Sequence, residues 1–364
     1  MKILHITNNF SEGGVESLLM DILPLLVCQG YTIDLLVLNQ NEIKLCESIS
    51  KLGVNIIIGS HSSCYHPLNI LLINSTIKKG NYDIVHSHLF PTQYYTIFAN
   101  CITKTRSTKF ITTEHTSVNN RQNYKLFSLI DRFIFNRYDK IIAVSPFIKD
   151  KLKLWSNTDS VVIPNGISLK RFDANREYPL NRSELKIPKS ATIAIMVARF
   201  VSGKNQALVI EAISKIPNLY LILVGTGTTL DSCKSLANQL NITNRVKFVG
   251  YSSEPEKFIN ISDICILSTN HEGFGISVVE CMAMQKPTIV SDIKILRDLF
   301  QDSILYAKPH SVDSLCNQIM SLINDKEYSK EMGNKALKQA QLFSITATVD
   351  NLIKLYKKLS LKNE

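Results

Sequence analysis

Short apolar runs alternate with segments of helical apolar spacing from the second residue onward, and no other feature narrows the fold so far. KILHIT reads as a strand, VESLLMDILPLLVCQG as a helix and TIDLLVLN as the next strand. The rhythm continues through VNIIIG, a helix over 67–79, DIVHSH, a helix over 93–99, KFITTEH, a helical region at 123–136 and KIIAVS. Strands that are apolar throughout are those covered on both faces, and a strand–helix–strand order makes them parallel. A doubly wound α/β sheet follows.

After SVVIP the chain enters PNGISLKRFDANREYPLNRSELKIP, rich in Pro, Asn and charge, and the rhythm then restarts. TIAIMVA, QALVIEAIS, YLILVG, LDSCKSLANQL, VKFVG, DICILS, SVVECMAM and PTIVS repeat the strand–helix order. Two facing Rossmann-like domains are expected, 1–165 and 189–344, joined by a linker at 166–188, with ligands in an interdomain cleft. A last amphipathic helix, 345–364, is expected to pack back on the first domain. With 364 residues the chain can bury two substantial cores.

Composition removes several classes. Hydrophobic residues make up 45% and charged residues 20%, which argues against disorder. No apolar run reaches the ~18 residues of a membrane span. The opening MKILHITNNF has one lysine and too short an apolar stretch for a signal peptide, so a cytoplasmic protein is expected. Eight cysteines occur singly without a C-x-x-C pair, as reduced core residues would. The formal charge of +10 suits acidic partners such as nucleotides or phospholipid surfaces. That excess divides about evenly between the halves, so nucleic acid is not expected as a partner.

The most informative stretch is HEGFGISVVE, from His271 to Glu280. An apolar strand runs into STNHEG, and Gly273 and Gly275 then open an apolar helix. A helix N-terminus with small residues offers backbone N–H groups and a positive dipole end to an anion such as a diphosphate. Glu272 and Glu280 would repel that anion and are better suited to accept hydrogen bonds from hydroxyls. Anion and hydroxyls together suggest a nucleotide sugar. The same stretch also reads as an ordinary βα turn.

Other strand ends carry matching chemistry. SEGGVES, with Gly13 and Gly14, permits close backbone approach ahead of a helix. VARFVSGKNQ places Arg199 at a strand end and Lys204 five residues on, where both cations can meet one diphosphate. LVGTGTTL supplies Gly225 and Gly227 after a strand, but Leu230 stands at the third glycine position and no acid follows VKFV, which speaks against a dehydrogenase. His86 and His88 lie on one side of a strand without an evident third ligand or carboxylate, so packed, hydrogen-bonded histidines are expected rather than a metal site. His115, in TTEHTS, ends a strand. From Arg121 to Lys140, cations interleave with aromatic residues, a pattern shared by half-buried helices and by helices lying on anionic membranes.

Together these residues resemble the retaining glycosyltransferases of family four, of the bacterial surface-polysaccharide type, which have the GT-B fold. The resemblance spans nearly the whole chain: GG near the start, EHTS, PNG at the linker, R-x-x-x-x-K and, most specifically, EGFG-x-S-x-x-E. It implies an acceptor domain at 1–165, a nucleotide-sugar domain at 189–344, no cofactor and no catalytic metal. Carried over by residue, it implies that Arg199 and Lys204 neutralise the departing diphosphate, and that Glu272 and the backbone at Phe274 and Gly275 hold sugar hydroxyls. Ile276 and Ser277 would meet phosphate through N–H groups, Glu280 the ribose, Gly14 the diphosphate and His115 the reacting sugar. Val249 and Gly250 would border the base.

The expected activity is transfer of a sugar from a UDP- or GDP-sugar to a glycan or lipid-linked glycan, with peripheral contact to an anionic inner membrane face as a separate expectation. A nucleotide-sugar epimerase or phosphorylase on the same architecture is the alternative enzyme. A non-catalytic glycan- or nucleotide-binding subunit is the alternative outside enzymes.

Overall fold

The apolar runs form parallel strands, most of them buried on both faces. The computed structural model describes residues 1–11, 13–103, 105, 107–117, 121 and 124–361. Glu12 of SEGGVES, the start of the helical region expected at 123 and the final residues 362–364 lie outside them. The chain divides into two units, one of residues 1–166 with 345–364 and one of residues 167–344.

In the first unit the strands are β1 (Lys2–Thr7), β2 (Thr32–Asn39), β3 (Asn55–His61), β4 (Ile84–His88), β5 (Lys109–Glu114), β6 (Lys140–Ala143) and β7 (Val161–Val162). Among the described residues they form one parallel sheet in the order β3-β2-β1-β4-β5-β6-β7. The second unit contains β8 (Thr192–Val197), β9 (Leu219–Val224), β10 (Val246–Gly250), β11 (Ile264–Leu267), β12 (Thr288–Ser291) and β13 (Leu305–Ala307). Their order is β10-β9-β8-β11-β12-β13, again parallel. Both units thus reverse strand order after their first strand, between β1 and β4 and between β8 and β11. Crevices at the carboxyl ends of such strand pairs are where Rossmann-like sheets bind ligands.

Apolar burial accounts for this layering. All five residues of β4 are buried, as are all four of β11, so neither strand has a solvent face. The helix Ile345–Ser360 completes the first unit by packing on the helix Gly14–Cys28. Its Leu352 and Val349 are buried, Tyr356 is fully enclosed, and Thr348 Oγ1 donates to the Pro164 carbonyl at 2.9 Å.

The polar stretch read as a linker at 166–188 is instead built into the second unit from residue 167. Its arginines explain why. Arg171 Nη2 reaches Glu256 Oε2 at 2.7 Å, and Arg182 reaches Asp263 Oδ1 at 2.7 Å and the Ile261 carbonyl at 3.1 Å. A capping box between Asn181 and Glu184 fixes the short turn at Arg182–Leu185. Charge that looks like linker polarity in sequence here satisfies partners in the fold.

All eight cysteines are free thiols; four are buried, while Cys28 and Cys101 are exposed.

Candidate functional site

In the second unit, the loop after β8 carries Arg199 and Lys204, and the loop after β11 carries Glu272 through Gly275. These are the two adjacent strands at the switch point, so two stretches 68 residues apart in sequence meet. Lys204 Nζ lies 2.5 Å from Glu272 Oε2. The side chains are 22% and 14% exposed, so the pair is partly screened from water but open enough to exchange partners.

The loops are stitched by backbone and hydroxyl contacts. Ser268 Oγ donates to the carbonyls of Lys204 and Asn205 at 3.1 and 2.9 Å, and Thr269 Oγ1 donates to those of Gly203 and His271 at 3.1 and 2.7 Å. Asn270 N–H donates to the Gly203 carbonyl at 2.8 Å. Gln206 Nε2 holds the Arg199 carbonyl at 2.8 Å, while the Arg199 side chain stays exposed. This framework fixes where the two cations start from.

Gly275 caps the helix Ile276–Ala283 with a φ of 89°, a left-handed conformation that favours glycine. The first N–H groups of a helix, here at Ile276 and Ser277, have no intrahelical acceptor and point out of its N-terminus. Phe274 turns inward and meets the Phe343 ring edge-on at 5.3 Å, anchoring the loop while leaving its backbone in the turn. Glu280, one turn further on, is buried.

Gly225 and Gly227 allow close packing between neighbouring loops. A Cβ on Gly225 would sit 2.2 Å from the Ala198 carbonyl oxygen, and one on Gly227 would sit 2.3 Å from that of Phe200. Phe200 N–H also donates to the Thr226 carbonyl at 2.7 Å. These glycines let the loop after β9 press against the loop that carries Arg199. Gly225 N–H in turn donates to the Gly250 carbonyl at 2.7 Å, and the pairing of β10 shifts register between Phe248 and Gly250. Val249 and Gly250 therefore stand at the next strand end of the same sheet.

In the first unit, Gly14 is the exposed first residue of the helix Gly14–Cys28. His115 follows β5, and its Nε2 lies 3.1 Å from His88 Nδ1. His88 Nε2 lies in turn 3.0 Å from His5 Nδ1. His86 is held separately, Nδ1 to Tyr356 Oη and Nε2 to Thr113 Oγ1, both at 2.7 Å. Burial lowers the pKa of His5 and His115 to about 3. Burial and then neighbouring histidines hold His86 and His88 well below the usual value, so all four rings are neutral.

His5 is the member that the sequence reading missed. It pairs in register with His86 across β1 and β4, and sequence spacing alone does not reveal that contact. Ring nitrogens of His5, His86 and His88 lie within 4.8 Å of one another, close enough to suggest a metal. Both His86 nitrogens already have hydroxyl partners, so ligation through His86 would break one of those bonds. The hydrogen-bonded arrangement accounts for the cluster more simply.

The basic stretch 121–140 also divides. Arg121 turns inward over the Phe90 and Tyr94 rings and lies 3.5 Å from Asp131, so it does not belong to an outer basic face. Leu126, Leu129 and Phe133 of the helix Leu126–Phe135 remain at least half exposed, beside exposed Lys125 and Arg132. Among the described residues, no helix is long and apolar enough to cross a membrane.

Two family models match successive parts of the chain: Glycosyltransferase Family 4 over residues 12–171 and Glycosyl transferases group 1 over residues 177–339. An Escherichia coli UDP-Gal:alpha-D-GlcNAc-diphosphoundecaprenol alpha-1,3-galactosyltransferase is 23% identical over 98% of this chain and 96% of its own length. The E. coli O-antigen biosynthesis glycosyltransferase WclY is 25% identical over 70% of this chain and 77% of its own. Among solved structures, Anabaena HepE in complex with UDP and glucose superimposes with a TM-score of 0.85 at 18% identity, covering 98% of this chain and 99% of that one. A Rickettsia africae glycosyltransferase gives a TM-score of 0.82 at 24% identity, covering 100% and 99%.

Proposed function

We propose, from the premise that this chain belongs to glycosyltransferase family 4 and has the GT-B fold, that it moves a sugar from UDP or GDP to a glycan or lipid-linked glycan with retention of anomeric configuration. The observation that carries this reading is the meeting of Lys204 and Glu272 at the switch point of one Rossmann-like sheet, with Arg199 on the same loop as Lys204 and a helix N-terminus on the same loop as Glu272. Anion donors and hydroxyl acceptors then stand side by side, as a nucleoside-diphosphate sugar requires. The named relatives that act in O-antigen synthesis and on a diphosphoundecaprenol acceptor support a role in bacterial surface polysaccharide synthesis.

In this reading Arg199 and Lys204 gather negative charge as the anomeric carbon–phosphate bond breaks, and the N–H groups of Ile276 and Ser277 share it. Lys204 moves from Glu272 toward the diphosphate, and Glu272 turns to the hydroxyls of the transferred sugar, assisted by the backbone at Phe274 and Gly275. Glu280 accepts from the ribose, and Val249 and Gly250 border the base. Gly14 admits the diphosphate and His115 meets the reacting sugar. The acceptor oxygen attacks on the face that the phosphate leaves, a phosphate oxygen takes its proton, and retention follows. These cations and N–H groups supply the charge stabilisation without a metal or other cofactor.

The apolar and basic surface at 125–133 supports peripheral contact with an anionic membrane on the cytoplasmic side, where a lipid-linked acceptor would be met. Incubation with a panel of UDP- and GDP-sugars, with and without lipid-linked acceptors, tests the function. Acceptor-dependent transfer is expected. Epimerised donor or phosphate-dependent cleavage would indicate the alternative enzymes, and neither transfer nor donor hydrolysis would contradict the reading.

A further inference from the structure

The loop that opens the helix Ile276–Ala283 is held by a segment from the far end of the second unit. His271 is exposed and Glu272 and Gly273 are half-buried, Phe274 and Gly275 are buried, and Ile276 and Ser277 are half-buried again. The Phe274 ring, 2% exposed, is therefore the one buried side chain between His271 and Ser277. Upstream, Thr269 holds the His271 carbonyl and Lys204 holds Glu272. Gly273 and Gly275 follow, and glycine leaves the backbone direction open, so the ring has to set it.

Phe343 receives that ring. The two meet edge-on at 5.3 Å, and Phe343 meets the fully enclosed Phe300 edge-on at 5.9 Å. Phe343 ends the short turn Gln341–Phe343, and its carbonyl accepts from Ile167 N–H at 2.9 Å, where Ile167 and Ser344 form a parallel bridge. Those two are the first and last residues of the second unit. A second contact sets the other end of the helix. The helix Lys326–Ala340 packs along Ile276–Ala283, and a Cβ on its Gly333 would lie 2.5 Å from the Gln285 carbonyl oxygen. Gln285 Nε2 also donates to Asn334 Oδ1 at 2.6 Å. With Gln285 against Gly333 and Phe274 against Phe343, the two runs lie antiparallel and the helix is tied at both ends.

We propose that Phe343 is a positioning residue for the N-terminus of the helix Ile276–Ala283: its ring fixes Phe274, and through it the backbone at Gly275 and the N–H groups of Ile276 and Ser277. The anchoring stands on the ring contact and the burial, while the phosphate that those N–H groups would meet rests on the function proposed above. Donors are effective when they are oriented before the charge arrives. An edge-on aromatic pair has a preferred geometry, whereas a leucine in place of either ring fills space without fixing a direction.

Amide hydrogen exchange of the full chain tests this at Val278 and Val279, whose N–H groups both donate to the Gly275 carbonyl, at 3.0 and 3.2 Å. Cys265 N–H, bonded to the Pro287 carbonyl at 3.0 Å in the sheet, serves as reference. Phe343→Leu should speed exchange at the two valines about three- to tenfold relative to Cys265. Phe300→Leu, which disturbs the same cluster from a fully enclosed position, should leave that ratio unchanged. Phe343→Leu should also weaken binding of free UDP or GDP about three- to tenfold, and adding Phe274→Leu should weaken it no further. An unchanged ratio or affinity in Phe343→Leu, or an equal rise of the ratio in Phe300→Leu, would overturn the proposal. If Phe343→Leu does not fold, Phe274→Leu breaks the same contact from the other side and must raise the same ratio. If the parent binds neither nucleotide, the proposed function fails while the exchange ratios still decide the role of Phe343.

Discussion

Lys204 Nζ and Glu272 Oε2, 2.5 Å apart, join the two strand-end loops at the switch point of the second sheet. The pair holds a cation and a carboxylate together between these loops. Under the proposed function, removing Lys204 leaves Glu272 uncompensated where a diphosphate would enter, so Lys204→Ala should lower turnover about 10²–10³-fold with little change in melting temperature. The loss should be non-additive. Free nucleotide should bind the Lys204→Ala/Glu272→Gln double variant more tightly than Lys204→Ala alone, as titration calorimetry can measure. Full turnover in Lys204→Ala would remove its assigned role.

Gly227 and Gly203 provide a matched comparison within neighbouring loops. A Cβ on Gly227 meets the Phe200 carbonyl oxygen at 2.3 Å and the residue has a φ of 145°, whereas a Cβ on Gly203 meets nothing within 4 Å. Gly227→Ala should destabilise the protein by about 1–3 kcal/mol and displace the Arg199 loop, reducing turnover. Gly203→Ala should be near neutral. Urea unfolding together with initial rates checks both, and equal behaviour of the two variants would contradict the packing role of Gly227.

The expected Rossmann-like order was legible because nearly every strand contains a short apolar run and the helices between them carry their own period, so local pattern and sheet burial agree. Contacts across the sheet were not legible. His5 stands 81 residues from His86 in sequence but next to it across β1 and β4, and Tyr356 returns to His86 from the last helix. The polar run before residue 189 looked like a linker because sequence shows the arginines but not Glu256 and Asp263 waiting for them. At the site, Lys204 and Glu272 were each identifiable by residue type and motif. Their pairing depends on β8 and β11 lying side by side, a relation of topology.

Tyr356 ties the C-terminal helix to the first sheet through its hydroxyl, 2.7 Å from His86 Nδ1. Tyr356→Phe leaves a buried ring nitrogen unpaired and should cost about 1–3 kcal/mol. Tyr356→Ala adds a cavity and should cost about 3–5 kcal/mol. Denaturant midpoints at constant slope measure both. A Tyr356→Phe protein as stable as the parent would mean that the hydrogen bond contributes nothing net.

The buried histidines should also make stability depend on pH. In the unfolded chain they titrate near ~6.5, while His5 and His115 are held to about 3 in the fold and His86 and His88 are lowered too. Below the unfolded value the unfolded chain binds protons that the native state refuses. Stability is therefore complete above about pH 6.5 and falls as pH drops toward 3, by up to about 1.4 kcal/mol per pH unit for each histidine. Urea unfolding between about pH 7.5 and 5, above the range where ordinary carboxylates titrate, isolates this slope. A flat profile there would contradict the buried neutral cluster.

Titration calorimetry of free UDP and GDP into the parent and into Glu280→Ala tests most directly whether the switch point of the second unit is a nucleotide site. One of the two nucleotides should bind the parent at one site per chain. Loss of the ribose hydrogen bond proposed for Glu280 should weaken that binding about 10–100-fold. Binding of neither nucleotide by the parent, or equal affinity in Glu280→Ala, would contradict the account.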